Sequence, residues 1–154
     1  MKKIRVMVVG YGNVGRGVIK ALAANEDMEL AGIVSRSPER VRRAVELPVL
    51  PVEAVGEWQQ AFRPDIAILC GGSKNDLPEQ GPKLLNCVST VDSFDNHSCI
   101  PQYFERMDAA GRAAGQVAVI STGWDPGIFS LERVLANAFI PGSRAYGFYG
   151  LTGK

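Results

Sequence analysis

The chain has 154 residues, of which 46% are hydrophobic and 21% charged, with 17 Lys and Arg against 16 Asp and Glu. This length suits one domain, and the composition is that of an ordinary soluble globular protein. The net charge of +1 argues against a nucleic-acid-binding surface or a polybasic membrane anchor. No apolar run approaches the roughly 18 residues of a membrane span, and the N-terminus lacks the pattern of a signal peptide.

Cysteine and histidine are sparse. The three cysteines, Cys70, Cys87 and Cys99, are an odd number without CxxC spacing, which indicates a reducing, cytoplasmic location. His97 is the one histidine, and it is interpreted as a loop or surface residue. No metal site is predicted.

The hydrophobic pattern alternates between strands and helices. Strands are predicted at 4–9, 30–34, 65–70, 88–91, 117–120 and 144–149. Helices are predicted at 14–24, from Ser37 onward, at 76–86, at 101–114, and after Asp125-Pro126. The segment 48–55 has a weaker pattern, which fits a short strand that leads into a turn. This alternation is typical of a doubly wound α/β fold with a parallel sheet covered by helices on both faces.

Parallel sheets of this kind bind ligands at the carboxyl ends of their strands. Candidate site residues are therefore sought in the segments that follow the predicted strands, which are 10–15, 35–37, 71–76, 92–97 and 121–127.

The first of these segments is a glycine-rich loop. It matches GxGxxG and stands between a predicted strand and a predicted helix, which is the context that dinucleotide binding requires. Gly10 permits the tight turn, Gly12 lets a pyrophosphate approach the backbone, and Gly15 lets the helix pack close to the sheet. The helix N-terminus offers free N–H groups to the phosphates. The alternative is a glycine-rich turn without a ligand.

The end of the second strand indicates which cofactor binds. NAD-binding proteins place Asp or Glu there to hold the ribose 2′-hydroxyl, whereas this chain has Ser35, Arg36 and Ser37. A guanidinium and two hydroxyls suit a 2′-phosphate, which favours NADP over NAD. The alternative is that Arg36 is a solvated surface residue.

Two further features lie at the end of the predicted strand 65–70 and directly after it. Gly71 and Gly72 suit a close approach of the backbone to the cofactor, or else form a flexible loop. Cys70 is interpreted as a small core residue rather than a nucleophile, because no histidine accompanies it.

Carboxylates follow the next two strands. Asp92, Asp95 and Asp125 are expected to lie near the nicotinamide, where they would hold an ammonium group. The alternative for Asp125 is a helix N-cap. For Asp92 and Asp95 it is a turn residue that bonds its own backbone. Trp124 is either a core aromatic or a wall of the pocket.

With these loops in view, the chain resembles meso-diaminopimelate dehydrogenase, an NADP-dependent amino-acid dehydrogenase of bacterial lysine biosynthesis. The resemblance covers the whole chain in the same order. The segments that carry it are VVGYGNVGR (8–16), VSRS (34–37), CGGSKNDLPEQ (70–80), TVDSFDNH (90–97) and STGWDPG (121–127).

The resemblance implies a Rossmann fold, an NADP cofactor and a set of site residues. Catalysis is assigned to Asp95 and Asp125, and substrate binding to Asp95, Trp124, Asp125, Phe148 and Tyr149. Within the cofactor site, the resemblance implies that Gly72, Ser73, Asp76 and the turn 93–95 border the nicotinamide half. Cofactor contacts are assigned to Gly10, Tyr11, Gly12, Asn13, Val14, Gly15, Ser35, Arg36, Ser37, Cys70, Gly71, Gly72, Ser73, Asp76, Asp92, Ser93, Phe94, Asp95, Gly123 and Trp124.

Members of the resembled family are about twice as long and form homodimers. Residues 1–122 are therefore expected to form the dinucleotide-binding domain, and 123–154 the connecting helix and first strand of a second, truncated α/β substrate and dimerisation domain. The expected partner is a small molecule, with no nucleic acid and no membrane. Two alternatives stay open: an isolated NADP(H)-binding domain without catalysis, and a related oxidoreductase such as a homoserine dehydrogenase or a dihydrodipicolinate reductase.

Overall fold

The structure is a computed structural model that describes residues 2–144. The strands are β1 (Ile4–Val9), β2 (Met28–Ser35), β3 (Val49–Pro51), β4 (Ile66–Leu69), β5 (Ser89–Asp92) and β6 (Ala118–Val119). The helices are α1 (Asn13–Ala23), α2 (Pro38–Arg42), α3 (Val55–Phe62), α4 (Leu77–Leu85), α5 (Ile100–Ala114) and α6 (Ile128–Phe139), with a single 3-10 turn at His97–Cys99.

The six strands form one sheet in the order β3-β2-β1-β4-β5-β6, and all the strand pairs are parallel. This is the order of a dinucleotide-binding Rossmann fold, so the predicted fold class is confirmed. The order reverses between β1 and β4, and ligands of such folds bind at that point.

The side chains of alternate residues of β1 point to opposite faces of the sheet. Val6 and Val8 pack in a cluster with Leu22 of α1. Met7 and Val9 point to the other face, where buried side chains of α3, α4 and α5 surround them. Because helices cover both faces of the sheet, the central strands are continuous apolar runs and do not alternate between apolar and polar residues. Such runs are easy to recognise in the sequence, so these strands were predicted.

One helix was missed by the sequence analysis. The weak segment does contain the short strand β3, but α3 follows it at Val55–Phe62. Gly56 and the β-branched Val55 weaken the helical propensity of its first turn. The available signal was the i, i+4 pair of Trp58 and Phe62, both of which are fully buried against the sheet.

The last helix carries an apolar stripe without a partner among the described residues. Leu131, Val134, Leu135 and Phe139 are each more than half exposed. Val117, which precedes the edge strand β6, is also mainly exposed. The predicted strand at 144–149 lies outside the described residues except for Arg144. Within residues 2–144 no helix is long and apolar enough to cross a membrane.

Candidate functional site

A cleft of about 610 Å³ opens at the carboxyl ends of β1, β2 and β4. Three loops meet there: the glycine-rich loop, the end of β2, and the loop between β4 and α4. The predicted cofactor residues that line it are Gly10, Tyr11, Gly12, Asn13, Ser35, Arg36, Ser37, Cys70, Gly71, Gly72 and Asp76. The structure therefore brings these residues together in one cleft, and their contact with a cofactor stays a prediction.

The glycine-rich loop has the backbone geometry that its sequence implied. Gly10 has φ +104°, a conformation that favours glycine. A Cβ on Gly15 would stand 2.0 Å from the carbonyl oxygen of Gly10, so only glycine permits this close approach of α1. A Cβ on Gly12 would meet no protein atom within 4 Å, and Gly12 lines the cleft.

The N-terminus of α1 has features that favour the binding of an anion. Gly12 occupies its N-cap position, no side chain caps the helix, and the first turn contains no acidic residue. The first N–H groups of a helix lack partners within the helix, and the helix dipole places partial positive charge there. Val14 is exposed and Gly15 is buried, and neither residue lines the cleft.

Three arginines line the cleft. Arg36 was predicted there, whereas Arg16 and Arg40 were missed. Arg40 is the third residue of α2, directly after the loop that follows β2, and its nearness in sequence to the predicted site segment 35–37 was the available signal. Arg16 donates from Nη2 to Oδ1 of Asn13 at 2.6 Å.

The serines at the end of β2 differ in role. Ser35 is buried, and its Oγ accepts a hydrogen bond from the N–H of Ser37 at 3.1 Å. Ser37 occupies the N-cap position of α2, but no side-chain capping bond is formed. The Ser37 hydroxyl is therefore not occupied by a capping role and lines the cleft.

An ion pair spans the cleft. Nη1 of Arg36 lies 2.9 Å from Oδ1 of Asp76, and Oδ2 of Asp76 accepts the N–H of Gly72 at 2.9 Å. The resemblance implied that Asp76 borders the nicotinamide half, and that role stays a prediction. In the structure its carboxylate contacts Arg36, the residue expected to hold the 2′-phosphate.

Cys70 forms part of the cleft wall. Its backbone lies 3.3 Å from the position of a Cβ on Gly10, and burial raises the pKa of its thiol to about 12. A thiol that stays protonated near neutral pH is a poor nucleophile, which supports its interpretation as a packing residue.

Asp92 organises the loops that follow β5 and β6. It is buried, and its Oδ1 accepts the N–H groups of Phe94 at 3.0 Å and Ser121 at 3.1 Å. Its Oδ2 accepts the hydroxyl of Tyr103 at 2.7 Å. Thr122 donates to the Asp92 carbonyl from both its N–H and its hydroxyl. The carboxylate is thus engaged inside the protein, and its predicted cofactor contact stays a prediction.

Replacing Tyr103 by Phe should lower the free energy of unfolding by about 1–3 kcal/mol, because Asp92 loses a hydrogen bond in a buried setting. Burial and the bond to Asp92 both raise the pKa of Tyr103, so its hydroxyl remains a donor at neutral pH. Urea denaturation would measure the change. The control is Tyr11→Phe at the half-buried cleft rim, which we expect to change stability by less than about 0.5 kcal/mol; equal effects would contradict the prediction.

The segment 93–95 lies next to this network. Phe94 is buried and stacks on Tyr103 with ring centroids 4.1 Å apart, so its ring belongs to the core. Asp95 is exposed, and its N–H donates to Oγ of Ser73 at 3.0 Å. That bond joins the loop after β4 to the loop after β5. Ser93 faces Gly123, where a Cβ would stand 3.9 Å from the Ser93 Cβ.

Asp125 is not the N-cap of the last helix. Gly127 occupies that position, and Oδ1 of Asp125 instead accepts Nη2 of Arg133 at 2.8 Å. Arg133 stands eight residues further along, and the turn before α6 brings the two together. Trp124 is 69% exposed and lies beside Phe129 at 5.8 Å, so it is not a core residue within the described part.

The remaining predictions concern two aromatic residues, the histidine and metal binding. Phe148 and Tyr149 lie outside the described residues. His97 is exposed on the 3-10 turn. Within residues 2–144, no group of three or more His, Cys, Asp or Glu side chains is placed to hold a metal ion.

Comparison with known proteins gives strong similarities. The chain is 48% identical to the meso-diaminopimelate D-dehydrogenase of Lysinibacillus sphaericus over 151 residues, which are 97% of this chain and 46% of that protein. The structure of the C. glutamicum diaminopimelate dehydrogenase in complex with DAP is 47% identical, with a TM-score of 0.81 over 90% of this chain and 42% of that one.

A third similarity concerns an engineered D-amino acid dehydrogenase bound to NADP+. It is 46% identical, with a TM-score of 0.79 over 90% of this chain and 42% of that chain. The resemblance to meso-diaminopimelate dehydrogenases is therefore confirmed, and the chain spans less than half the length of these relatives. The model of the oxidoreductase family with an NAD-binding Rossmann fold matches residues 4–85. Because that match covers more than half of the sequence, the chain belongs to this oxidoreductase family.

Proposed function

We propose that the chain binds NADP(H) in the cleft and forms the nucleotide-binding half of a meso-diaminopimelate dehydrogenase. The observation that carries the proposal is the charge pattern of the cleft. An uncapped helix N-terminus faces it from one loop, and Arg36 and Arg40 line it beside the end of β2. The similarity to a dehydrogenase solved with NADP+ supports the same cofactor.

The residues present fit the phosphates of a dinucleotide. The open space at Gly12 leaves room for the pyrophosphate against the first turn of α1. An Arg guanidinium binds phosphate in a bidentate manner, and its charge adds strength to each hydrogen bond. In the proposed complex, Arg36, Arg40 and the Ser37 hydroxyl hold the 2′-phosphate.

The end of β2 lacks a carboxylate, and this favours NADP over NAD. An NAD-binding site uses a carboxylate there to accept the ribose 2′-hydroxyl. Here the strand ends in Ser35, and the residues that follow carry a guanidinium and a hydroxyl. A 2′-phosphate satisfies these donors, whereas a 2′-hydroxyl leaves most of them to water.

The substrate end of the site is proposed to lie over the loops after β5 and β6. Asp95 and Asp125 are assigned to the amino group of the substrate, and Trp124, Phe148 and Tyr149 to the wall of that pocket. Bound NADP+ supplies a hydride acceptor for the carbon that carries the amino group. The carboxylates orient the amine and receive its proton, directly or through water, because the amine must be neutral before the hydride leaves.

The overall reaction in this proposal is a reversible oxidative deamination at the D-centre of meso-2,6-diaminopimelate. The amine-bearing carbon loses a hydride to become an imine carbon, and water then replaces nitrogen, which gives L-2-amino-6-oxopimelate and ammonia. Two electrons and one proton leave with the hydride, and one further proton is released. The C. glutamicum relative was solved with DAP, which supports this substrate.

The organisation of the whole protein is part of the proposal. Residues 1–122 would form the nucleotide domain, and 123–154 would begin the substrate and dimerisation domain of a homodimer. The exposed apolar stripe of α6 supports an additional packing partner. Three free cysteines support a reducing, cytoplasmic location.

A second candidate function is an NADP(H)-binding module without catalysis. The observation that supports it is that the cleft of the described residues lies where the nucleotide is proposed to bind. Turnover of meso-diaminopimelate with NADP+ by a full-length protein that contains this segment distinguishes the two. A related oxidoreductase with another substrate is tested by offering homoserine and other D-amino acids in the same assay.

Calorimetric titration of the chain with NADP+ and with NAD+ tests the cofactor proposal. We expect NADP+ to bind at least about tenfold more tightly, since one charge-assisted phosphate contact contributes roughly 1.5–3 kcal/mol. Equal affinities would refute the assignment of the 2′-phosphate site. A lack of binding by both nucleotides would refute the proposed cofactor role of this chain.

A further inference from the structure

We propose that Asp76 is a specificity-determining residue that competes with the 2′-phosphate of NADP+ for Arg36, and so weakens the preference for NADP+ over NAD+. The inference rests on the proposed nucleotide site. It assigns Asp76 a role through Arg36 rather than through contact with the nicotinamide half. The residue acts by holding the arginine, so it is a positioning residue and not a catalytic one.

The two partners approach from opposite sides of the cleft. Arg36 follows β2, Asp76 stands immediately before α4, and both line the cleft. The Arg36 side chain is 69% exposed and the Asp76 side chain 18% exposed. Most of the arginine side chain is therefore in contact with solvent, whereas the carboxylate is largely enclosed by protein.

Two features hold Asp76 in place. Its Oδ2 accepts the N–H of Gly72, which closes the loop between β4 and α4. A Cβ on Gly71 would stand 2.7 Å from the Cβ of Asp76, so the loop can wrap this closely only because residue 71 is glycine. Asp76 occupies the N-cap position of α4, yet its side chain caps no helical N–H. Its remaining oxygen is directed to Arg36.

The two nucleotides place different demands on this ion pair. NAD+ has no group that requires Arg36, so the pair can persist when NAD+ binds. NADP+ brings a phosphate to the guanidinium, and the carboxylate must then give up or share its partner. The carboxylate also repels the phosphate across a few ångströms. Both effects weaken the binding of NADP+, and neither affects the binding of NAD+.

The test is Asp76→Asn, with dissociation constants for NADP+ and NAD+ measured by calorimetry. The amide oxygen can still accept the Gly72 N–H, while the charge that holds Arg36 is removed. We expect NADP+ to bind about three- to tenfold more tightly, since an exposed ion pair and a screened repulsion are each worth only a few-fold, and NAD+ affinity to change less than about twofold. If the Asn variant does not fold, Asp76→Ser retains an acceptor and gives the same comparison.

Asp108→Asn is the matched control. Asp108 forms an ion pair with Arg112 at 2.8 Å on α5, so this change removes one charge from a similar pair outside the cleft. Neither affinity should change. A second comparison uses Arg36→Ala as background, where adding Asp76→Asn should improve NADP+ binding less than it does in the unaltered chain.

The outcomes separate this inference from the proposed function. NADP+ binding by the unaltered chain without improvement in Asp76→Asn overturns the competition and leaves the NADP site standing. Equal weakening of both nucleotides in Asp76→Asn also overturns it, because Asp76 would then contact the shared part of the nucleotide. Failure of the unaltered chain to bind NADP+ overturns both.

Discussion

Replacing Arg36 by Ala should weaken NADP+ binding by about 30- to 100-fold, while NAD+ affinity changes less than about threefold. The guanidinium lines the cleft at the end of β2, where a 2′-phosphate would meet it. Charge-assisted hydrogen bonds are worth roughly 1.5–3 kcal/mol, and each 1.4 kcal/mol is a factor of ten in affinity. The variant also leaves the Asp76 carboxylate facing the phosphate without its cation, which adds to the loss.

The comparison of the two nucleotides separates a local effect from a loss of folding, which would weaken both. Arg112→Ala is the matched control, because Arg112 is an exposed arginine paired with a carboxylate and lies outside the cleft. We expect it to leave both dissociation constants within about twofold. Parallel decreases for NADP+ and NAD+ in Arg36→Ala would exclude Arg36 as the 2′-phosphate ligand.

The fold could be predicted from the sequence because its central strands are covered on both sides. The apolar run of β1 and the glycine-rich loop after it define a strand, a turn and a helix in order. Helix α3 escaped prediction because it is short and its first turn contains Val55 and Gly56, which are poor helix formers. Tertiary burial of the Trp58 and Phe62 rings stabilises the helix, and local propensity does not record that contribution.

Contacts within the site were harder to predict than its residues. The loops at the ends of β1, β2 and β4 follow from the alternation of the fold, since parallel strands end at one edge. The pairing of Arg36 with Asp76 joins residues 40 positions apart, and no periodic pattern encodes it. The ion pair of Asp125 with Arg133 was missed for a related reason, because the sequence offered Asp125 only as a carboxylate near the nicotinamide or as a helix N-cap.

The described structure also separates the carboxylates that the sequence grouped together. Asp92 is buried and saturated with internal donors, whereas Asp95 is exposed and Asp125 carries an ion pair with Arg133. A buried carboxylate with its acceptors occupied contributes to the framework. Asp95 and Asp125 are therefore the better candidates for proton handling, which agrees with their assignment in the proposed mechanism.

Asp125→Asn, made in a full-length dehydrogenase that contains this segment, should lower turnover of meso-diaminopimelate by about 100- to 1000-fold, the usual contribution of a positioned acid or base. Asparagine keeps the shape of the side chain and an oxygen for the 2.8 Å bond from Arg133, but it cannot take a proton. The NADP+ dissociation constant should stay within about twofold. Steady-state kinetics and a nucleotide titration measure the two quantities.

The pH dependence tests the role of Asp125 further. If the carboxylate receives the proton of the substrate amine, the deficit of the variant should shrink at alkaline pH, where more of the amine is already neutral. Asp27→Asn is the control, because Asp27 is exposed directly before β2, at the end of the sheet opposite the cleft. Unchanged turnover in Asp125→Asn would reduce Asp125 to the ion-pair partner of Arg133. A deficit of equal size at every pH would instead indicate that the carboxylate orients the amine without accepting its proton.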